Sequence, residues 1–265
     1  MTDIDAEMIN NLKKIKNNKP LDLLFDITYI NLNESIERRE RMENLINLLN
    51  LKDIIKRYDA VNGRNIIDSD YEDIFFKNIK NTPSREFHQY LSDGAKGCIL
   101  SHKNIWKNKV IEKNRPYLIL EDDIFLKDYF ADSLNECSHF ISENDVDMLY
   151  LGSHWPNENL WKKVNNNIYK IKKHFQYGLF SYIITPEGAK KLLEMFPIDT
   201  QLDNAIDFYN KKVNLNIYHY FPVSVYSLLS QDKKALNSTL FKTTIQPITG
   251  GSRKYKVFYN YNFII

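Results

Sequence analysis

Cysteine is nearly missing from this chain: two in 265 residues, Cys98 and Cys137. That is too few for a disulfide framework, and their spacing suggests no zinc site, so they read as reduced core thiols. No apolar window approaches the length needed to cross a bilayer. The opening stretch "MTDIDAEMINNLKKIKNNKP" mixes acidic and amide side chains where a signal peptide needs an apolar centre. A cytoplasmic protein with no transmembrane segment is the expectation. Charge of one sign is lacking too. Lys and Arg total 36 against 34 Asp and Glu, for a net charge of +2, and they form no basic stripe, so nucleic acid is not an expected partner. Internal repeats and low-complexity linkers are absent.

What is present is a chain 43% hydrophobic and 26% charged, enough for one large α/β domain with insertions. Residues 1–24 read as a helical or loosely packed leader. "FDITYINLN" (residues 25–33) reads as a buried first strand. Asn33 then caps a helix, with Glu34 in its first turn, and Met42, Leu45, Ile46 and Leu49 form its buried stripe. "IIKRYDAVNG" (residues 54–63) reads as a second strand ending in an Asn-Gly turn. Residues 64–92 read as a loop-rich insertion with short helices. Ala95, Cys98, Ile99, His102, Ile105 and Trp106 lie on one stripe of the next helix, which turns His102 inward. Further strands are expected at residues 117–121 and 147–153, at "FSYIIT" and at "LNIYHYFP", and helices near residues 134–142 and after Thr185 with Pro186 as its first residue, while "PIDTQLDNAIDFY" reads as a loop entering another helix. This alternation predicts a mostly parallel sheet with helices on both faces.

Into that pattern falls "YLILEDDIF" (residues 117–125), an apolar strand running into three carboxylates. Ligands bind outside the carboxyl ends of strands in such sheets, so Glu121, Asp122 and Asp123 stand where a site belongs. Extended geometry turns Glu121 and Asp123 one way and Asp122 the other. Carboxylates held together repel, and Mn²⁺ or Mg²⁺ shared with substrate phosphates resolves the repulsion. A polar strand end whose acids cap the next turn is the competing reading.

The segments "YINLNESIERRERM", "YDAVNG", "GCILSHKNIW", "YLILEDDIFL", "MLYLG", "YIITPEGAKKLL" and "PIDTQLD", in that order, resemble glycosyltransferase family 25, over roughly residues 25–240. The family contains lipopolysaccharide galactosyltransferases and collagen hydroxylysine sugar transferases. The resemblance implies a GT-A type, Rossmann-like fold over residues 25–245, a UDP-sugar donor and inversion at the anomeric carbon. It also implies Asp123 as principal metal ligand in the role of the DXD motif, with Glu121 and Asp122 meeting metal, donor ribose or metal-bound water. Asn31, Leu32 and Arg38 match the family's nucleotide-side first strand, where a helix N-terminus offers donors to an anion. Arg38, with Arg39 and Arg41, equally fits a solvated face. Asn62 and Gly63 match the second nucleotide-side turn, and Ser101 and His102 the Ser-His pair. For His102 a supporting role stands beside direct donor contact.

Asp203 matches the acid before the last helix of the motif set and is the candidate base, with Asp199 and Asp207 as competitors and a helix cap as the plain alternative. The match weakens at Gln231 and Ser238. In the tail, residues 246–265, Arg253 or Lys254 closing over the diphosphate and a dimerising edge strand are equal readings. Trp155 and Trp161 stack on an acceptor sugar or pack as a loop. The reading is an inverting, metal-dependent transfer of galactose or glucose to a saccharide or glycoprotein hydroxyl. A nucleotide-sugar or glycan-binding protein without turnover is the alternative. A nucleotidyltransferase would want a Gly-rich phosphate loop that "INLNESIERR" does not supply.

Overall fold

Two apolar runs and one largely polar edge strand pair side by side at the start of the fold. The computed structural model describes residues 21–75, 91–154, 156–171 and 177–227. Strand β1 (Asp26–Asn31) lies between β2 (Ile55–Asp59) and β3 (Tyr117–Glu121), parallel to both. Ile30 stands opposite Glu121 and Asn31 opposite Asp59, so the three carboxyl ends finish level at one edge. After a tight turn the chain returns as β4 (Ile124–Leu126), which forms a two-stranded ribbon with β10 (Val225–Ser227).

The main sheet is completed by β5 (Met148–His154), β6 (Lys162–Lys163), β7 (Ile168–Lys170), β8 (Tyr177–Ile184) and β9 (Ile217–Tyr220), in the order β2-β1-β3-β8-β5-β9-β7-β6. β8 and β7 run against the rest of the eight. The sheet is therefore mostly one-directional, as the alternation of elements predicts. The insertion of antiparallel β8 between β3 and β5 has no signal in local sequence pattern.

Helices cover both faces. On one side α1 (Ile36–Leu48) and α3 (Phe130–Glu143) pack Met42, Leu45, Leu134 and Cys137 against Leu118, Leu120 and Leu149. On the other, α2 (Asp93–Ile105), α4 (Pro186–Leu193) and α5 (Leu202–Val213) pack Ile99, Leu192 and Ile206 against Ile119, Tyr150 and Tyr182. Alternate residues of β3 thus serve opposite cores, and Leu118, Ile119 and Leu120 are all 0% exposed. α2 runs on into a π-helical turn, Trp106–Ile111. Leu21 and Leu23, placed in the leader by sequence, pack on the first core.

Local signals are met at α4, where Pro186 opens the helix and the Thr185 hydroxyl accepts from the Gly188 N–H at 3.1 Å. They fail at α1. Ser35, not Asn33, holds the cap position, and it makes no side-chain cap bond. Asn33 instead accepts from Arg57 Nη2 at 2.8 Å, and Glu34 precedes the helix, whose first-turn acid is Glu37. A long cation arriving from β2 outcompetes the local cap. Among the described residues the positive-φ positions outside glycine are Asn50, Asn114 and Asn214. Asparagine tolerates the left-handed conformation best of the non-glycine residues, and it fills that role in a chain with only 8 glycines. Residues 76–90 of the expected insertion, Trp155, Gln231, Ser238, Arg253, Lys254 and the tail lie outside the described residues.

Candidate active site

The carboxylate triplet emerges where β3 leaves the sheet, and its three acids meet different surroundings. Asp122 is 8% exposed and is fully engaged. It accepts from Asn31 Nδ2 at 2.7 Å and from Arg38 Nη1 at 2.8 Å, a charge-assisted pair. Asn31 is itself held in place: its amide also reaches the Ser35 carbonyl at 3.2 Å, and its oxygen accepts from Arg57 Nε at 3.0 Å. Arg38 therefore sits on α1 as counter-charge to Asp122, in the wall of the site and not on a solvated face.

Asp123 has the opposite circumstance. Its Oδ1 is buried and has no hydrogen-bond partner among the described residues. Burial, and then the negative charge of Glu121, push its carboxyl up to about 7, against the pull of Arg38. Glu121 thus lies close enough to bear on Asp123, whose Oδ1 has no hydrogen-bond partner among the described residues. A hard divalent cation with oxygen ligands is the group whose charge and donor preference answer it, so these two residues fit Mn²⁺ or Mg²⁺. Asp122, committed to Arg38 and Asn31, is placed to orient the pair's surroundings.

Behind the acids stands α2. His102 is 1% exposed, its Nδ1 lies 2.8 Å from the Tyr182 hydroxyl, and its Nε2 faces Glu121 Oε1 at 3.6 Å. Trp106 Nε1 donates to the same hydroxyl at 2.9 Å, so the imidazole is held from behind by an aromatic pair. Ser101 donates to the Gly97 carbonyl at 2.7 Å and accepts from the Val61 N–H at 2.8 Å, clamping the turn after β2 to the helix. The clamp needs two glycines. A Cβ on Gly63 would lie 1.6 Å from the Asp93 carbonyl oxygen, and one on Gly97 would lie 2.5 Å from that of Val61. Gly63 thus serves close approach of backbone to backbone. Asn62 caps the 3₁₀ turn Gly63–Asn65 by accepting from the Arg64 N–H at 3.0 Å, and its amide donates to Glu34 at 2.7 Å.

These elements enclose a cavity of about 430 Å³. Asn31, Leu32, Arg38, Asn62, Gly63, Ser101, His102, Glu121, Asp122 and Asp123 all line it, which brings the residues of four separate segments together at the parallel strand ends. Lining residues that sequence reasoning passed over include Arg64, Ser92 and Cys98. Cys98 was legible as an i, i+4 partner of His102, yet composition alone had marked it as an inert core thiol. It is half-buried at the wall, its thiol pushed well up by burial and then by Glu121 and Asp203.

Asp203 lies outside that cavity, in a small crevice with Tyr150 and Asp207. In the first turn of α5, it accepts from the N–H groups of Gly178 at 3.2 Å and Asn204 at 2.8 Å. Burial raises its carboxyl, those two bonds oppose the rise, and Glu121 adds to it, so the two acids feel each other's field. Asp207, one turn further along α5, is paired with Lys211 at 2.6 Å. Trp161 is buried against His219, with ring centroids 4.5 Å apart, and so packs in the core and offers no face to a sugar.

Residues 25–209 match the family model described as glycosyltransferase family 25 (LPS biosynthesis protein). A glycosyltransferase 25 family member of Anopheles gambiae is 30% identical over 191 residues, 69% of this chain and 32% of that protein. Procollagen galactosyltransferase 1-B of Xenopus laevis is 30% identical over 194 residues, 72% of this chain and 31% of its own. Procollagen galactosyltransferase 2 of Homo sapiens is 26% identical over 183 residues, 66% of this chain and 29% of its own. The chain spans about a third of the length of the curated relatives it matches. A solved UDP-glucose pyrophosphorylase complexed with UDP-glucose covers 75% of this chain and 90% of that one, at a TM-score of 0.38 and 12% identity, a likeness too low to carry an argument.

Proposed function

The chain belongs to glycosyltransferase family 25, and on that footing we propose that it transfers a hexose, galactose or glucose, from a UDP-sugar to a hydroxyl of a saccharide or glycoprotein, with inversion. The observation that carries the reading is the buried Asp123 Oδ1, without a partner among the described residues and beside Glu121, in the lining of a cavity built from parallel strand ends. Asp123, with Glu121, would hold Mn²⁺ or Mg²⁺, which supplies Lewis-acid neutralisation of the charge developing on a leaving diphosphate. The names of the Xenopus and human relatives support galactose as the sugar and a glycoprotein as the acceptor. Among the described residues no helix is long and apolar enough to cross a membrane.

The chain's own groups divide the work. The strand ends and the N-terminal turn of α1 bind the nucleotide diphosphate, with Arg38 as a fixed positive charge in the cavity wall. Asp122 keeps Arg38 oriented. Asp203, raised by burial, is suited to accept the proton of the attacking hydroxyl. Its position outside the main cavity favours one competing reading, a protein that binds a nucleotide sugar without turning it over.

The test is a panel of UDP-sugars with saccharide and glycopeptide acceptors, with and without Mn²⁺, following UDP release. Metal-dependent release from one sugar, lost in Asp123→Ala and reduced about 10²–10⁴-fold in kcat with unchanged donor KM in Asp203→Asn, is the expected result. Donor binding without turnover under every acceptor establishes the binding-only reading. Wild type that binds neither UDP nor metal overturns both.

A further inference from the structure

Cys98 and His102 lie one helical turn apart on α2, and β3 delivers Glu121 across from them. The Cys98 Sγ, the His102 ring nitrogen and a Glu121 carboxylate oxygen all lie within 4.8 Å of one another. His102 Nε2 is buried and makes no hydrogen bond among the described residues, Glu121 Oε1 at 3.6 Å being too far to accept one. On its far side the ring is tied through Nδ1 to the Tyr182 hydroxyl, which Trp106 also holds. Tyr182 can accept from both, and the tautomer with hydrogen on Nδ1 leaves the Nε2 lone pair aimed at Cys98 and Glu121. A metal-ligating histidine is ordinarily supported in this way, by a partner on its second nitrogen.

We propose that Cys98, His102 and Glu121 form a binding site for a Zn²⁺-class cation, which shares Glu121 with the hard-metal pair of Glu121 and Asp123. A thiolate, an imidazole and a carboxylate select a borderline transition metal over Mg²⁺ or Ca²⁺. Three protein ligands leave a fourth position open to the cavity that Cys98, His102 and Glu121 all line. In tetrahedral zinc the ligand atoms stand about 3.5 Å apart. The Glu121 side chain, 25% exposed, has the freedom to close the difference.

Glu121 belongs to both sets, so a thiophilic cation here withdraws it from Asp123 and occupies part of the donor cavity. Zinc is then an inhibitor of transfer, a consequence that rests on the transferase reading, whereas the site itself does not.

Co²⁺ titrated into the metal-free full-length chain is the test, because a thiolate ligand gives a charge-transfer band that oxygen ligands do not. Wild type shows this band together with the intense visible bands of four-coordinate Co²⁺, and Zn²⁺ displaces both. Cys98→Ser, a near-isosteric change at a half-buried position, loses the charge-transfer band while keeping its far-ultraviolet circular dichroism. Its Zn²⁺ affinity falls by more than the roughly 10–100-fold that loss of a supporting partner costs. Asp123→Ala keeps the band. The other thiol, Cys137, is 0% exposed in the opposite core. A band absent from wild type, retained in Cys98→Ser, or lost in Asp123→Ala overturns the site. A band in wild type with no UDP release at any zinc level leaves the zinc site standing and counts against the transferase reading.

Discussion

Adjacent carboxylates at the end of β3 are expected to answer mutation in opposite ways. Asp122→Ala strips the acceptor from Arg38 and from the Asn31 amide, and leaving such groups unpaired costs about 1–3 kcal/mol. Asp123→Asn removes the negative charge of a buried carboxyl that desolvation and Glu121 disfavour, and above neutral pH, without metal, it is expected to stabilise the fold by on the order of 1 kcal/mol. The same variant loses Mn²⁺ binding, which Asp122→Ala largely retains. Urea denaturation and the electron paramagnetic resonance signal of free Mn²⁺ read these effects separately, and equal losses of Mn²⁺ binding in the two variants would refute the division. The presence of a site at this triplet was legible from an apolar strand ending in acids. Which acid is neutralised was not, because that depends on where Arg38 and Asn31, far earlier in the chain, come to rest.

At the scale of elements, the wall of the cavity depends on how closely the turn after β2 approaches α2. Alanine at position 97 gains up to about 1 kcal/mol of helix propensity over glycine. Against this, its Cβ would lie 2.5 Å from the Val61 carbonyl oxygen and 2.8 Å from the Gly63 nitrogen. These are backbone atoms that no rotamer change can move aside. Overpacking of this kind costs about 1–3 kcal/mol, so the clash wins. Gly97→Ala is expected to lower the melting temperature by roughly 2–4 °C per net kcal/mol lost. It is also expected to weaken donor binding by parting Ser101 from Val61, and an unchanged melting temperature would show that the contact is soft. The inward stripe of α2 and the Thr185–Pro186 start of α4 could be read from sequence, since both are properties of neighbours along the chain. The Asn33 cap was misread, since Arg57 reaches it from another strand.

Across the whole molecule, the core on the α2 side of the sheet carries a second buried histidine, one that ties stability to acidity. His219 is 0% exposed, lies between the rings of Trp161 and Tyr150, and uses both nitrogens, with Ser153 Oγ at 2.9 Å and the Tyr220 carbonyl at 2.7 Å. Burial lowers its pKa from 6.5 to about 4, with the Tyr220 carbonyl opposing the shift. Below 6.5 the unfolded chain takes up a proton that the native state refuses, so stability falls as pH drops from 6.5 towards about 4. The full loss is on the order of 3 kcal/mol. Urea denaturation at about pH 7 and about pH 4.5 measures it. In His219→Gln the difference between the two is expected to shrink, and an unchanged difference would assign the acid sensitivity to other groups.

By itself the sequence determined the α/β class, the strand and helix periods, the strand end that carries the acids and the segments that come together around them. Each follows from periodicity, composition or a short ordered motif, which are properties of residues close in the chain. Only the tertiary structure decided that β8 enters antiparallel, that Asp122 is taken by Arg38, that Cys98 faces the cavity beside His102, and that Asp203 stands outside it. Those outcomes turn on pairings between residues tens of positions apart, and a carboxylate or thiol acquires its charge state and its freedom to bind from the neighbours that folding brings.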